Sequence, residues 1–235
     1  MTLYWLELDK DCSILDQLQL EESLLRHDTR NFCIINKGSS PTIVMGISGK
    51  VHELVEIEIA QSLQIPIIKR FSGGGTVVVD NSTVFVTFIF QKDTFSFPAY
   101  PEKIMKWSEE IYKNVFPETF TLRENDYAFG ERKFGGNAQY IRKDRWLHHT
   151  SFLWDYTPAY MQTLKHPKKT PSYREGREHE QFLCKLKDFI PSQESFIAEL
   201  KNSLANYFTV YDIELAAVEV QTPSRMSTQV FTDLL

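Results

Sequence analysis

Residues 3–8 alternate apolar and polar positions, the period-two pattern of a half-buried strand. Ser13 is placed to cap a helix running to about Leu25, with Leu15, Leu18, Leu24 and Leu25 near helical spacing. Residues 32–35 and 43–45 are short apolar runs and read as buried strands. Residues 52–63 predict one helix, with Leu54, Val55, Ile59 and Leu63 sharing a face. Strands are expected at 66–69, 76–79 and 84–90, the last rich in β-branched and aromatic residues. Residues 102–115 read as a helix that turns Ile104, Trp107, Ile111 and Val115 inward.

The second half begins strand-like, at 120–122, 127–129, 138–141 and 146–153. A short helix is expected at 158–164, then a loop over 165–177 carrying Pro167, Pro171, Gly176 and many cations. Residues 178–189 and 193–208 look helical. In the second of these Phe196, Leu200, Leu204 and Phe208 recur every fourth residue behind Ser192, a good N-cap. Short strands mixed with helices, with few strand–helix–strand alternations, imply an α+β fold: a mixed or antiparallel β-sheet flanked by helices. The expected organisation is a main domain over 1–178 and a short helical extension over 179–235 packed on it.

Of 235 residues, 42% are hydrophobic and 24% charged, as in ordinary soluble globular chains. The net charge of −5 argues against nucleic-acid binding by bulk charge. No long uncharged apolar run suggests a membrane span, and the first residues lack a basic n-region or Arg-rich leader. Cys12, Cys33 and Cys184 are isolated, without a CxxC pair, which disfavours a zinc site and fits a reducing compartment. A cytoplasmic location is expected.

The chemistry concentrates in two small-residue runs. Lys133 sits within Gly130-Glu131-Arg132-Lys133-Phe134-Gly135-Gly136-Asn137-Ala138. Small residues let a ligand approach the backbone, and a flanking lysine suits phosphate or a developing oxyanion. Arg70 opens the second run, Ser72-Gly73-Gly74-Gly75-Thr76. A phosphate-binding P-loop would end in Gly-Lys-Ser/Thr and, like a dinucleotide turn, lead into a helix; a strand pattern follows here instead. A glycine-rich hairpin and a surface lysine are the plainer readings of these segments. Asn125-Asp126 could ligate magnesium or form an Asx turn. His148 and His149 should face opposite sides of a strand and so cannot easily chelate one metal together. Lys165, His166, Lys168, Lys169, Arg174 and Arg177 make the 165–177 loop either a solvated surface or a flap over phosphate. No GxSxG nucleophile motif is present.

Taken together, Arg70-x-Ser72-Gly73-Gly74-Gly75-Thr76-Val77-Val78, Asn125-Asp126, Arg132-Lys133-x-x-Gly136-x-Ala138 and His149-x-Ser151-x-Leu153 resemble the lipoate–protein ligase A family, in the biotin/lipoate ligase superfamily. The resemblance implies the catalytic-domain fold of that superfamily and an ATP-dependent reaction. Lipoate and ATP would form lipoyl-AMP, and the lipoyl group would pass to a carrier-domain lysine. It makes Lys133 the catalytic lysine. Arg70, Gly75, Thr76, Val77 and Val78 match adenylate-binding positions, with Lys133. Ser72, Gly73, Gly74, Gly136, Asn137, Ala138 and His149 match the lipoate side, again with Lys133. Asp126 and Asn125 match the place where Mg²⁺ is expected. Implied partners are the lipoyl domains of 2-oxoacid dehydrogenase complexes or the glycine cleavage H protein. Bacterial members carry a substantial C-terminal domain, whereas only a short tail follows here. A separate accessory protein, or transfer of preformed lipoyl-AMP only, is therefore the alternative. Octanoyl transfer and non-catalytic lipoate or carrier binding are further ones. Val79, Gly135 and Thr150 depart from the family pattern, which has histidine, serine and glycine there.

Overall fold

The structure is a computed structural model describing residues 1–166, 170–218, 220 and 227–231. Strand β1 (Thr2–Glu7) leads into α1 (Ile14–His27), β2 (Phe32–Asn36) and β3 (Thr42–Met45). Two short helices, α2 (Val51–Leu54) and α3 (Ile57–Ser62), precede β4 (Ile67–Lys69), β5 (Val77–Val79) and β6 (Thr83–Gln91). Helix α4 (Pro101–Lys113) is followed by β7 (Phe120–Arg123), β8 (Asp126–Phe129), β9 (Arg132–Ile141), β10 (Arg145–Leu153) and α5 (Pro158–Met161). The last elements are α6 (His179–Phe182), α7 (Gln193–Ala205), β11 (Thr209–Asp212) and β12 (Gln229–Val230).

The larger sheet runs β11-β1-β2-β6-β10-β9-β8-β7 and the smaller one β12-β4-β3-β5. β1 is parallel to β2 and β11, and β3 to β4; the remaining pairs are antiparallel. The fold is therefore the expected mixed sheet with helices on it. Alternation along β6 divides the core. Val84, Val86, Phe88 and Phe90 face α4 and α7, joining Ile104, Ile111, Phe196, Leu200 and Leu204. Phe85 and Ile89 face the other way, toward Leu18, Leu24 and Leu25 of α1 and toward Val44, Ile68 and Val79 of the smaller sheet. The smaller sheet's far side closes on α2, α3 and Met161 through Ile43, Met45 and Ile67. Two sheets thus lie face to face, and the space between them holds the site.

The caps are as read from the sequence: Ser13 Oγ accepts from the Asp16 amide, and Ser192 with Ser195 completes a capping box. Three segments differ. Residues 52–63 are two helices rather than one. The chain straightens at Val55, which bridges to Leu164, while the Glu56 amide donates to the Thr163 carbonyl at 2.9 Å. Residues 178–189 are one turn, α6, and a 3₁₀ turn at Leu186–Asp188, because Cys184 leaves helical geometry to donate its amide to Lys133 O. Residues 132–137 are part of a ten-residue strand, not a loop. The predicted flap's Lys168 and Lys169 lie outside the described residues. No described helix is long and apolar enough to cross a membrane.

Candidate active site

The glycine run after β4 is shaped by one arginine. Arg70 is 5% exposed. Its Nε donates to Ser72 Oγ at 3.1 Å and one terminal nitrogen to Val44 O at 3.3 Å; the other donates to Gly73 O at 2.8 Å and Gly75 O at 2.9 Å. These are all neutral acceptors, and burial lowers the guanidinium to about 10. It still carries its charge at neutral pH. Gly74 has φ +106°, and a Cβ there would meet Arg70 at 2.7 Å, so glycine is required by both backbone and space. The loop rests on bare backbone: a Cβ on Gly46 would lie 2.2 Å from Gly74 O.

Lys133 is aimed by a bulge. Asp126 pairs with Gly136, Tyr127 with Gly135, and Ala128 with Lys133, so Phe134 is the extra residue in β9. In an unbroken strand residues 133 and 136 would face opposite sides. The extra residue puts both on the cavity side, and a Cβ on Gly136 would touch Lys133 Nζ at 3.5 Å. Phe134 turns into the core and stacks on Phe129 at 4.1 Å. The Lys133 ammonium pairs with Asp126 Oδ1 at 2.7 Å, and Tyr173 Oη donates to Asp126 Oδ2 at 3.0 Å. Burial, and then Asp126 itself, pushes the Tyr173 phenol up, so it stays a donor.

His148 and His149 face opposite sides, as expected. His148 is fully buried, between Tyr127 Oη (3.1 Å) and Gln139 Nε2 (3.1 Å), and desolvation with His149 nearby lowers it to about 3. His149 borders the cavity. Its Nδ1 lies 2.9 Å from both Glu21 Oε1 and Thr87 Oγ1. Glu21 Oε1 also accepts from Gln17 Nε2 at 2.8 Å and Thr87 Oγ1 at 2.6 Å. This buried polar network under α1 went unseen in the sequence. Its signal was Gln17 and Glu21, four apart among leucines.

One cavity of about 610 Å³ lies between the sheets. Arg70, Gly73, Gly74, Gly75, Thr76, Val77, Val78, Asn125, Asp126, Lys133, Gly136, Asn137, Ala138 and His149 all border it. Ser72 does not. Its hydroxyl is spent on Arg70, and its carbonyl accepts from the Ile47 amide at 3.0 Å. Asn137 meets the cavity only from the strand's edge: its side chain accepts from Thr150 Oγ1 at 2.6 Å and donates to Asn125 O at 3.0 Å, on the other face. The cavity is polar around Lys133, Asp126, Arg174 and His179, and apolar toward Phe85, Val44, Val79 and Ala138. Tyr173, Arg174 and His179 join the site from the 165–182 segment. Ser172 docks that segment by donating its amide and hydroxyl to Glu124 Oε1, both at 2.6 Å. No cluster of three or more metal-binding side chains exists among the described residues. Both Asp126 oxygens already have partners, so the residues present do not make a magnesium site by themselves.

A half-polar cavity between two sheets, with an acid-paired lysine at its charged end, is the candidate active site. The chain belongs to the family described as the lipoyl protein ligase A/B catalytic domain, which it matches over residues 13–209. It is 28% identical to the inactive lipoate–protein ligase 2 of Plasmodium falciparum, over 84% of this chain and 68% of that one. It is 26% identical to the probable lipoate-protein ligase A of Mycoplasma genitalium, over 72% of this chain and 50% of that one. Among solved structures, Ta0514 of Thermoplasma acidophilum with bound lipoic acid aligns with a TM-score of 0.74 at 14% identity, covering 92% of this chain and 90% of that one. A lipoate-protein ligase A bound with ATP aligns with a TM-score of 0.74 at 16% identity, over 91% and 90%. The bi-partite T. acidophilum ligase, described with its E2 lipoyl domain, aligns at 0.71 and 17%, over 90% and 86%. At these identities the structural likenesses establish the shared fold.

Proposed function

We propose that this chain is an ATP-dependent lipoate–protein ligase. It would join lipoate to AMP and then transfer the lipoyl group to a lysine of a lipoyl carrier domain. The observation that carries the reading is Lys133, held on Asp126 at 2.7 Å over a strand position with no side chain.

In the first step a lipoate carboxylate oxygen attacks the α-phosphorus of ATP, and the bond to pyrophosphate breaks. In the second, the carrier amine attacks the acyl carbon, the bond to AMP breaks, and the amine proton leaves. Negative charge grows on the acyl and phosphoryl oxygens in both steps. A fixed ammonium beside them stabilises that charge most where water is excluded. Asp126 and Tyr173 hold Lys133 ready, and the Cys184 amide fixes its backbone carbonyl at 2.9 Å. The apolar half of the cavity suits an eight-carbon acyl chain. Gly73 and Gly74 leave room for that chain beside the backbone, and residues 75–78, next to Arg70, suit the adenylate. Magnesium would arrive with the nucleotide phosphates, with Asp126 and Asn125 as candidate oxygen donors on the cavity wall. The carriers that fit are lipoyl domains of 2-oxoacid dehydrogenase complexes or glycine cleavage H protein.

An octanoyl-thioester route is disfavoured, because none of the three cysteines borders the cavity. Burial raises the Cys184 thiol to about 11. A second reading is transfer of preformed lipoyl-AMP, or activation only with a separate accessory protein. It draws support from the named inactive relative and from the bi-partite neighbour. The deciding experiment supplies an apo lipoyl domain with either lipoate, ATP and magnesium, or synthetic lipoyl-AMP, and reads carrier mass. Modification in both arms supports the ligase. Modification from lipoyl-AMP alone supports the second reading. No modification in either arm would leave a lipoate- or carrier-binding protein.

A further inference from the structure

Arg174 closes a 3₁₀ turn at Ser172–Arg174 and is 4% exposed, yet it borders the cavity. Its guanidinium lies over Phe182, 5.0 Å from the ring centre. The turn is built around this side chain. Glu175 and Gly176 take positive φ (51° and 72°), which brings Arg177 back. Arg174 Nε then donates to Arg177 O at 2.9 Å, and Arg177 Nε donates to Arg174 O at 3.0 Å.

What the turn leaves over is the end of the fork. One terminal nitrogen of Arg174 is buried without a hydrogen-bond partner among the described residues. Its acidic neighbours are engaged elsewhere: Asp126 by Lys133 and Tyr173, Glu178 by His166 at 2.8 Å. Buried charges are normally paired, and a guanidinium that is not is strongly disposed toward an anion. Phosphate fits its planar fork. The surroundings agree. His179 borders the cavity next to it, and burial together with the Arg174 charge lowers that imidazole to about 4, so it is uncharged at neutral pH and able to donate.

We infer that Arg174 is a phosphate-binding residue of this cavity, its free terminal nitrogen receiving a phosphate oxygen of the bound nucleotide while Phe182 fixes the guanidinium plane. This rests on the nucleotide reading of the site. An unpaired buried cation is a stability defect that a ligand corrects, so function and stability should move in opposite directions at this position.

The test titrates the wild type, Arg174→Met and Arg174→Lys with AMP, adenosine, inorganic pyrophosphate and lipoate by calorimetry, and records thermal midpoints. Arg174→Met should bind AMP or pyrophosphate at least tenfold more weakly. Adenosine and lipoate should be unaffected, and the midpoint unchanged or higher. Arg174→Lys, which keeps the charge and loses the fork, should fall between and serves if the Met variant does not fold. Unchanged phosphate binding in either variant overturns the inference. Equal loss for AMP and adenosine, with a lower midpoint, makes Arg174 a structural prop. Loss for lipoate alone assigns it to the carboxylate. If the wild type binds pyrophosphate through Arg174 but no nucleotide, the ATP reading fails while the anion site stands. If the wild type binds neither, both fail.

Discussion

At the scale of single residues, the site depends on charges whose partners are specified. Lys133 is held by one acid, and that acid by one phenol. Lys133→Ala should leave the fold intact and cost about 3–4 kcal/mol of transition-state stabilisation in each half-reaction, as for loss of one oxyanion donor. Single-turnover rates from ATP and from lipoyl-AMP measure the two costs separately; near-normal rates would refute the role. His148 makes the opposite kind of contribution. It is buried neutral, lowered to about 3 by desolvation, while the unfolded chain titrates near the ordinary value of 6.5. Between those values the unfolded state binds the extra proton, so stability falls as pH drops below about 6.5. The slope is at most about 1.4 kcal/mol per pH unit. His148→Gln should flatten that slope in urea midpoints measured between pH 7 and pH 5; an unaltered slope would show that another group titrates there.

At the scale of elements, the bulge at Phe134 reconciles two requirements that a regular strand could not meet: a cation toward the cavity and a ring toward the core. Gly135 is the residue opposite Tyr127, and there is no room there for a side chain. A Cβ on Gly135 would stand 3.0 Å from Tyr127 and 3.1 Å from Phe152, two fully buried rings. Gly135→Val should therefore destabilise by about 1–3 kcal/mol in denaturant melts, the usual range for overpacking. Wild-type stability in that variant would mean the rings can retreat. This bulge also marks where sequence reading stops. Period-two alternation found β1, a β-branched and aromatic run found β6, and Ser13 and Ser192 announced their helices, because those signals are local. The small-residue run at 133–138 looked like a loop since glycines carry no periodicity. The break at Val55 and the brevity of α6 depend on partners at Leu164 and Lys133, far along the chain. The two small-residue runs could be read as candidate site material from composition, and His149 only from the family resemblance. Tyr173 could not, and Arg174 stood only as one of two open readings, because a cationic loop looks the same whether it faces water or a cavity.

At the scale of the whole molecule, the cavity belongs to neither sheet alone. The larger sheet supplies Lys133, Gly136, Ala138 and His149, and the smaller one Val77, Val78 and Val79. Within the smaller sheet the glycine run is anchored on the end of β3: the Arg70 amide donates to Met45 O at 2.9 Å, and the Ile47 amide to Ser72 O at 3.0 Å. No side chain cushions that contact, since Gly46 and Gly74 meet through backbone. A methyl on Gly46 must displace the run, so Gly46→Ala should weaken lipoate binding at least tenfold, an effect of about 1.4 kcal/mol or more read by calorimetry. Equal affinity would mean that the run's position does not govern the acyl pocket. Glycine against glycine also leaves nothing to absorb movement. If a ligand presses the run down, the displacement passes undamped into the strand beneath. The amide proton at Ile47, which need never touch the ligand, should then exchange with solvent more slowly, so occupancy of the pocket could be read from behind it.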